Sequence, residues 1–176
     1  VTLTASVITI PAASVVTLDL QGHTLSSTVA AGRSDSKTAE DKATIVNHGT
    51  LAVIDTVGGG IVTNTISLCD ALFNGTDGTA TLNGGTFKNR AWYPIHNHGT
   101  MTINAGVTAG ESGFYDTSPV MNGWGHDDGP VGTAVLTING GTFIDGAHTI
   151  KNGDTNNAAT LTINGGTFTQ SNDTKD

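Results

Sequence analysis

Charge is scarce in this chain: Asp, Glu, Lys and Arg together make up 12% of 176 residues. Basic residues are scarcest, with 7 Lys and Arg against 15 Asp and Glu and a formal net charge of −8. A nucleic-acid binder needs a basic stripe to neutralise phosphates, so that partner class is disfavoured. The same deficit disfavours anionic membrane surfaces. No apolar run reaches the ~18 residues of a membrane-spanning helix, so no membrane insertion is expected. Cys69 is the single cysteine, which excludes an internal disulfide. It sits in the apolar stretch "ISLCDALF" with no base beside it, as a small buried hydrophobe would. Proline is limited to 4 residues, and the 24 glycines show no period of three, which excludes collagen.

What is abundant is Gly, Thr and Asn, the composition of short strands joined by tight turns. One phrase, "LTINGGTF", occupies 136–143 and returns at 161–168, with "TLNGGTF" at 81–87 and "LDLQGHTL" at 18–25. Two landmarks alternate along the chain. The first is an apolar residue followed two positions later by Asn, ending at Asn47, Asn74, Asn97, Asn122 and Asn152. The second is an apolar pair spaced i, i+2: Leu18/Leu20, Leu51/Val53, Ala80/Leu82, Met101/Ile103, Leu136/Ile138 and Leu161/Ile163. Each pair is followed by a turn and then by Leu25, Ile61, Phe87, Val107, Phe143 or Phe168. The i, i+2 spacing predicts strands with one face buried and one wet.

Constant strand phrases joined by connections of unequal length predict a β-solenoid, whose cross-section repeats while its corners grow outward. A β-sandwich has no reason to repeat one phrase in register. The Thr and Gly content, without any 3.6-residue period, argues against helical repeats. The expected fold is all-β: a right-handed parallel β-helix of about six coils, stacked ~4.8 Å apart in a rod about 30 Å long. The five Asn residues are expected to point inward at a corner and bond one another along the axis as a ladder. The pairs Gly84-Gly85, Gly140-Gly141 and Gly165-Gly166 supply turn conformations that a Cβ disfavours. No Lys-Ser/Thr follows them, so they are not phosphate loops.

The opening "VTLTASVITIPAASVVTLDLQGHTLS", the "NHGTLAVID" that follows and the "GTLTINGGTF"-like phrases resemble the right-handed parallel β-helix proteins of the pectate-lyase-like superfamily. The likeness is to repeat-bearing surface and secreted proteins of Gram-positive bacteria. It covers nearly the whole chain and implies an extracellular or cell-surface setting. The superfamily includes polysaccharide lyases, glycoside hydrolases, tailspikes and adhesins, so the resemblance leaves the activity open. The chain opens on Val1, and is read as one β-helix domain over 1–176, a fragment of a larger surface protein. Residues 27–42 are read as a surface excursion or cap, and 169–176 as a frayed tail.

An enzyme of this kind would set a general acid and base about 5–10 Å apart on one outer face. The residues expected outward before each Asn, namely Val46, Phe73, His96, Met121 and Lys151, offer no acidic pair. Two columns flank the second strand: Thr17, Thr50, Thr79, Thr100, Val135, Thr160, and Asp19, Ala52, Thr81, Thr102, Thr137, Thr162. Such a threonine array is the pattern of ice-binding β-solenoids, although Thr also favours strands for its own sake.

The repeat fails between 88 and 128, where both tryptophans and both tyrosines fall. Trp92, Tyr93, Tyr115 and Trp124, with His96, His98, Asp127 and Asp128, form the expected ligand-binding patch, since aromatic faces stack on sugars and anchor interfaces. His96 and His98 also begin a metal-ligand pattern, with His48, or His126, Asp127 and Asp128, as further donors, while Asp127-Asp128 reads equally as a solvated turn or as part of a weak Ca²⁺ site with Asp116 and Glu111. No third ligand is set by spacing, so no metal and no cofactor is assigned. The leading expectation is a non-enzymatic adhesin or stalk binding a host protein or glycan through 88–128. A carbohydrate-active enzyme or its inactive remnant stands second, and an ice-binding protein third.

Overall fold

The structure, a computed structural model, describes residues 1–3, 7–28, 43–66, 69–89, 92–111, 117–123, 132–153 and 158–170. Among these residues there are nineteen strands and no helix. Sheet 1 contains β1 (Thr2–Leu3), β4 (Thr24–Ser27), β7 (Ile61–Asn64), β10 (Gly85–Asn89), β13 (Val107–Glu111), β16 (Thr142–Ile144) and β19 (Thr167–Thr169). Sheet 2 contains β2 (Ile8–Ile10), β5 (Ile45–Asn47), β8 (Leu72–Asn74), β11 (Ile95–Asn97), β14 (Val120–Asn122) and β17 (Ile150–Asn152). Sheet 3 contains β3 (Val15–Asp19), β6 (Thr50–Ile54), β9 (Thr79–Leu82), β12 (Thr100–Ile103), β15 (Ala134–Ile138) and β18 (Ala159–Ile163). The chain visits the three sheets in fixed rotation, and every pairing is parallel. This is the architecture of a parallel β-helix, reached from strand pairing alone.

The core is built by columns of inward side chains. Leu25, Val62, Phe87, Ala109, Phe143 and Phe168 stack in register through sheet 1. Val53, Leu82, Ile103 and Ile138 do the same in sheet 3 and are fully buried. Burial of each large aliphatic or aromatic side chain contributes roughly 1.5–3 kcal/mol, so the repetition of the phrase is the main stabilising device. Two details depart from the alignment read off the sequence. Val62, not Ile61, fills the inward column of sheet 1, and Ile61 turns outward. In the first strand of sheet 3, Val16 and Leu18 pair with Leu51 and Val53, while Leu20 lies beyond the strand.

The asparagine ladder is present. Each Nδ2 donates to the Oδ1 of the next: Asn47 to Asn74 at 2.7 Å, Asn74 to Asn97 at 2.8 Å, Asn97 to Asn122 at 2.7 Å and Asn122 to Asn152 at 2.7 Å. The same Nδ2 atoms donate to corner carbonyls, as Asn97 does to Gly99 at 3.1 Å. A second ladder runs through the turns after sheet 3 and was not read from the sequence. There Asn164 donates to Asn139, Asn139 to Asn104 and Asn104 to Asn83, at 2.8–2.9 Å, in exposed positions. Asn83, Asn139 and Asn164 each precede a glycine pair, and Asn104 precedes Ala105-Gly106, so all four stand at the same turn. In each glycine pair the second residue takes the left-handed conformation, with φ of +108° at Gly141. The first is there for space: a Cβ on Gly140 would stand 3.0 Å from the backbone of Ala105.

Ser27 closes β4, and residues 29–42 of the expected excursion lie outside the described residues. Thr169 closes β19, and 171–176 of the expected tail also lie outside them.

Candidate functional site

The expected patch between 88 and 128 divides. Tyr115, Trp124, Asp127 and Asp128 lie outside the described residues, as do His126 and Asp116. Trp92 is half-buried, and its backbone N–H donates to Asn89 Oδ1 at 3.3 Å. Tyr93, His96 and His98 are 2%, 0% and 5% exposed. The column before each ladder Asn was expected to face solvent, and it does not. Val46, Phe73, His96 and Met121 are all buried, while Lys151 is half-buried. The physical reason is a second layer outside sheet 2. Ala43 and Val7 pack on Val46 and Phe73, and Asp70 and Tyr93 meet His96. These covering residues precede the sheet 2 strands, so the corner between sheets 1 and 2 folds over the face that follows it.

Under that cover lies a polar relay. Asp70, 1% exposed, places Oδ2 3.0 Å from His96 Nδ1. His96 Nε2 lies 3.0 Å from His98 Nε2. Phe73 meets both imidazoles edge-on, at centroid distances of 5.3 and 5.0 Å. Burial first, and the neighbouring His96 second, push the His98 pKa down to about 3, so His98 is neutral throughout the physiological range. His48 does not join the pair. It belongs to the corner after β5, two strands from β11, and bonds Asp77 Oδ1 at 2.7 Å near the surface. That hydrogen bond holds the Asp77 carboxyl below the usual range. Among the described residues, no three His, Cys, Asp or Glu side chains converge on a point.

An accessible recess lies on the outer face of sheet 1. It is an open groove of about 560 Å³, and its lining includes Thr63, Thr86, Lys88, Thr108, Ile144 and Asp145. The pleat explains the lining. In β10, Phe87 turns inward and Thr86 and Lys88 turn outward. Register then places Thr63 and Gly110 on either side of Lys88, with Ile144 beside Gly110. Thr24, Ile61, Thr86, Thr108, Thr142 and Thr167 form a column along this face. Asn64 and Asn89 close the groove at the strand ends; the Asn89 amide donates to the Cys69 carbonyl at 3.1 Å, and its Oδ1 holds the Trp92 backbone. Among the described lining residues, Asp145 is the one carboxylate and Lys88 the one cation. The groove was missed in the sequence because its residues come from four separate repeats.

The threonine columns of sheet 3 also need correction. Val15, not Thr17, aligns with Thr50, and Thr17 aligns with Ala52. The columns therefore run Val15, Thr50, Thr79, Thr100, Val135, Thr160 and Thr17, Ala52, Thr81, Thr102, Thr137, Thr162. Asp19 leaves the array and accepts hydrogen bonds from Thr56, with Oδ2 2.7 Å from the hydroxyl. No protein-family model, curated protein or solved structure matches this chain; its parallel β-helix architecture is read from strand order and the asparagine ladder.

Proposed function

We propose that this chain is a non-enzymatic module of a bacterial surface or secreted protein, a right-handed, pectate-lyase-like β-helix of about six coils. In this reading it works as a stalk or adhesin that binds a host glycan along the groove of sheet 1. The groove is the observation that carries the proposal. Threonine hydroxyls line the floor, one cation and one anion frame the opening, and Trp92 stands at the adjoining corner. Sugar rings present hydroxyls to such groups and an apolar face to an aromatic ring. Hydrolysis is the weaker reading, because a glycosidase sets two carboxyl groups across the bond and Asp145 has no carboxylate opposite it among the described lining residues. A host protein bound through the 88–128 segment is the alternative partner. Titrating the protein against a panel of neutral and acidic glycans tests the proposal. Lys88→Ala and Thr108→Val should each weaken the bound glycan about tenfold or more while the fold persists. No binding across the panel, or binding unchanged in the double variant, would sink it.

One observation favours a second reading. The outward Thr pairs of the adjacent strands β9 and β12 are in register, ~4.8 Å between strands and ~6.6 Å along them, and a third pair recurs on β18 beyond β15. These repeats lie near the oxygen spacings of ice. Thermal hysteresis that disappears in Thr81→Lys/Thr102→Lys would favour ice binding; the absence of hysteresis would retire it.

A further inference from the structure

We propose that the paired imidazoles of His96 and His98 form a binding site for one soft monovalent cation, with Cu(I) as the biological member of that class. This site lies outside sheet 2 and does not depend on the glycan reading.

The geometry of the two rings comes first. Their Nε2 atoms are 3.0 Å apart, yet the ring centroids are only 4.6 Å apart and the planes stand at 88°. Rings pointing head-on across that gap would hold their centroids farther apart. At least one ring is therefore tilted off the line that joins the two nitrogens. A cation bonded to imidazole nitrogen sits about 2.0–2.1 Å from each donor, which two nitrogens at this separation accommodate with small ring movements.

The surroundings select the ion. Asp70 Oδ2 is 3.0 Å from His96 Nδ1, so that nitrogen carries the proton and the lone pair of His96 is left on Nε2. A carboxylate behind a ligating histidine is the usual way to orient such a ligand. When ionised, Asp70 brings one buried negative charge, which balances a monovalent cation and leaves a divalent one uncompensated. Met121 is the register partner of His96 on the next strand and is 0% exposed. Met121 thus places a thioether-bearing side chain on the strand beside His96, a donor type that suits Cu(I) and not hard cations. Phe73 and Tyr93 pack on the rings and keep water out. His98, 5% exposed, is the edge from which an ion enters.

In the empty site His98 donates from Nε2 to His96. Binding moves the His98 proton to Nδ1, so both rings stay neutral and no proton is released.

The test uses the full chain and Cu(I) held reduced without oxygen, in competition with a coloured Cu(I) chelator. Ag(I) serves as a redox-inert second probe. One equivalent per chain is expected, with excess Zn(II) unable to displace it. His98→Gln should abolish retention, Asp70→Asn should weaken it roughly tenfold, and Met121→Leu should weaken it measurably. His148→Gln, outside the cluster, should change nothing. Circular dichroism of each variant separates lost binding from lost fold, and should any variant unfold, Cu(I)-induced shifts of the His96 and His98 ring resonances in the unmodified protein decide the matter. No retained Cu(I), retention undiminished in His98→Gln, or stoichiometric displacement by Zn(II) would each overturn the assignment.

Discussion

Asn97→Asp is expected to unfold the protein at neutral pH or to lower its unfolding free energy by about 3–5 kcal/mol. Asn97 is the middle member of the buried ladder and is 0% exposed. Its Oδ1 accepts from Asn74 at 2.8 Å, and an aspartate keeps that bond. Its Nδ2 donates to Asn122 Oδ1 at 2.7 Å and to the carbonyls of Gly99 and Val135, each at 3.1 Å. Aspartate would replace this donor with an oxygen facing three acceptors, and would add a charge without a cation to pair it. Most domains have only 5–15 kcal/mol to lose. Asn97→Leu should cost less, because it removes the amide without leaving a charge in its place. Asn152→Asp, at the exposed end of the ladder, should cost under about 1 kcal/mol. Urea unfolding midpoints of the three variants decide this. Equal losses at positions 97 and 152 would mean that the ladder's burial is not what makes it stabilising.

Gly99→Ala is expected to be nearly as damaging, with a loss above about 3 kcal/mol. The cause is space and not backbone conformation, since Gly99 does not adopt a positive φ. A Cβ there would stand 2.3 Å from the carbonyl oxygens of both Gly75 and Gly78. Those oxygens cannot withdraw, because Gly78 O accepts from Thr100 N at 3.0 Å across the same corner. The informative control is Gly58→Ala. Gly58 has φ of +84° but nothing within 4 Å of its missing Cβ, so only conformational strain of about 1 kcal/mol is at stake. A thermal melt in which Gly58→Ala is the worse variant would refute the steric account.

The two sites differ in how legible they were. Asn97 stands two residues after Ile95 in a phrase repeated with Asn47, Asn74, Asn122 and Asn152, and alternation alone puts it inside. Gly99 belongs to "NHGT", where glycine reads as an ordinary turn residue; only the stacked corners reveal two carbonyls where its side chain would be. Tyr93 and His98 carry the same lesson for function. Both look like surface residues in a segment where the repeat breaks, and both are covered. The groove of sheet 1 was invisible for the converse reason. Thr86, Lys88, Thr108 and Asp145 are unremarkable within their own repeats and line one groove only when β10, β13 and β16 lie side by side.

The sequence by itself determined the periodicity of this protein: which residues alternate, which asparagines turn inward, and that successive repeats stack in parallel sheets. Alternation follows from the geometry of a single strand, where neighbouring side chains leave on opposite faces whatever lies beyond them, and stacking follows from the recurrence of one phrase along the chain. Only the tertiary structure decided which outward faces meet water. Asp70 is 26 residues from His96, yet it covers that histidine because the corner before one strand folds onto the face of the next. Leaving the core and reaching solvent are different events, and the second depends on segments that pattern within one strand does not address.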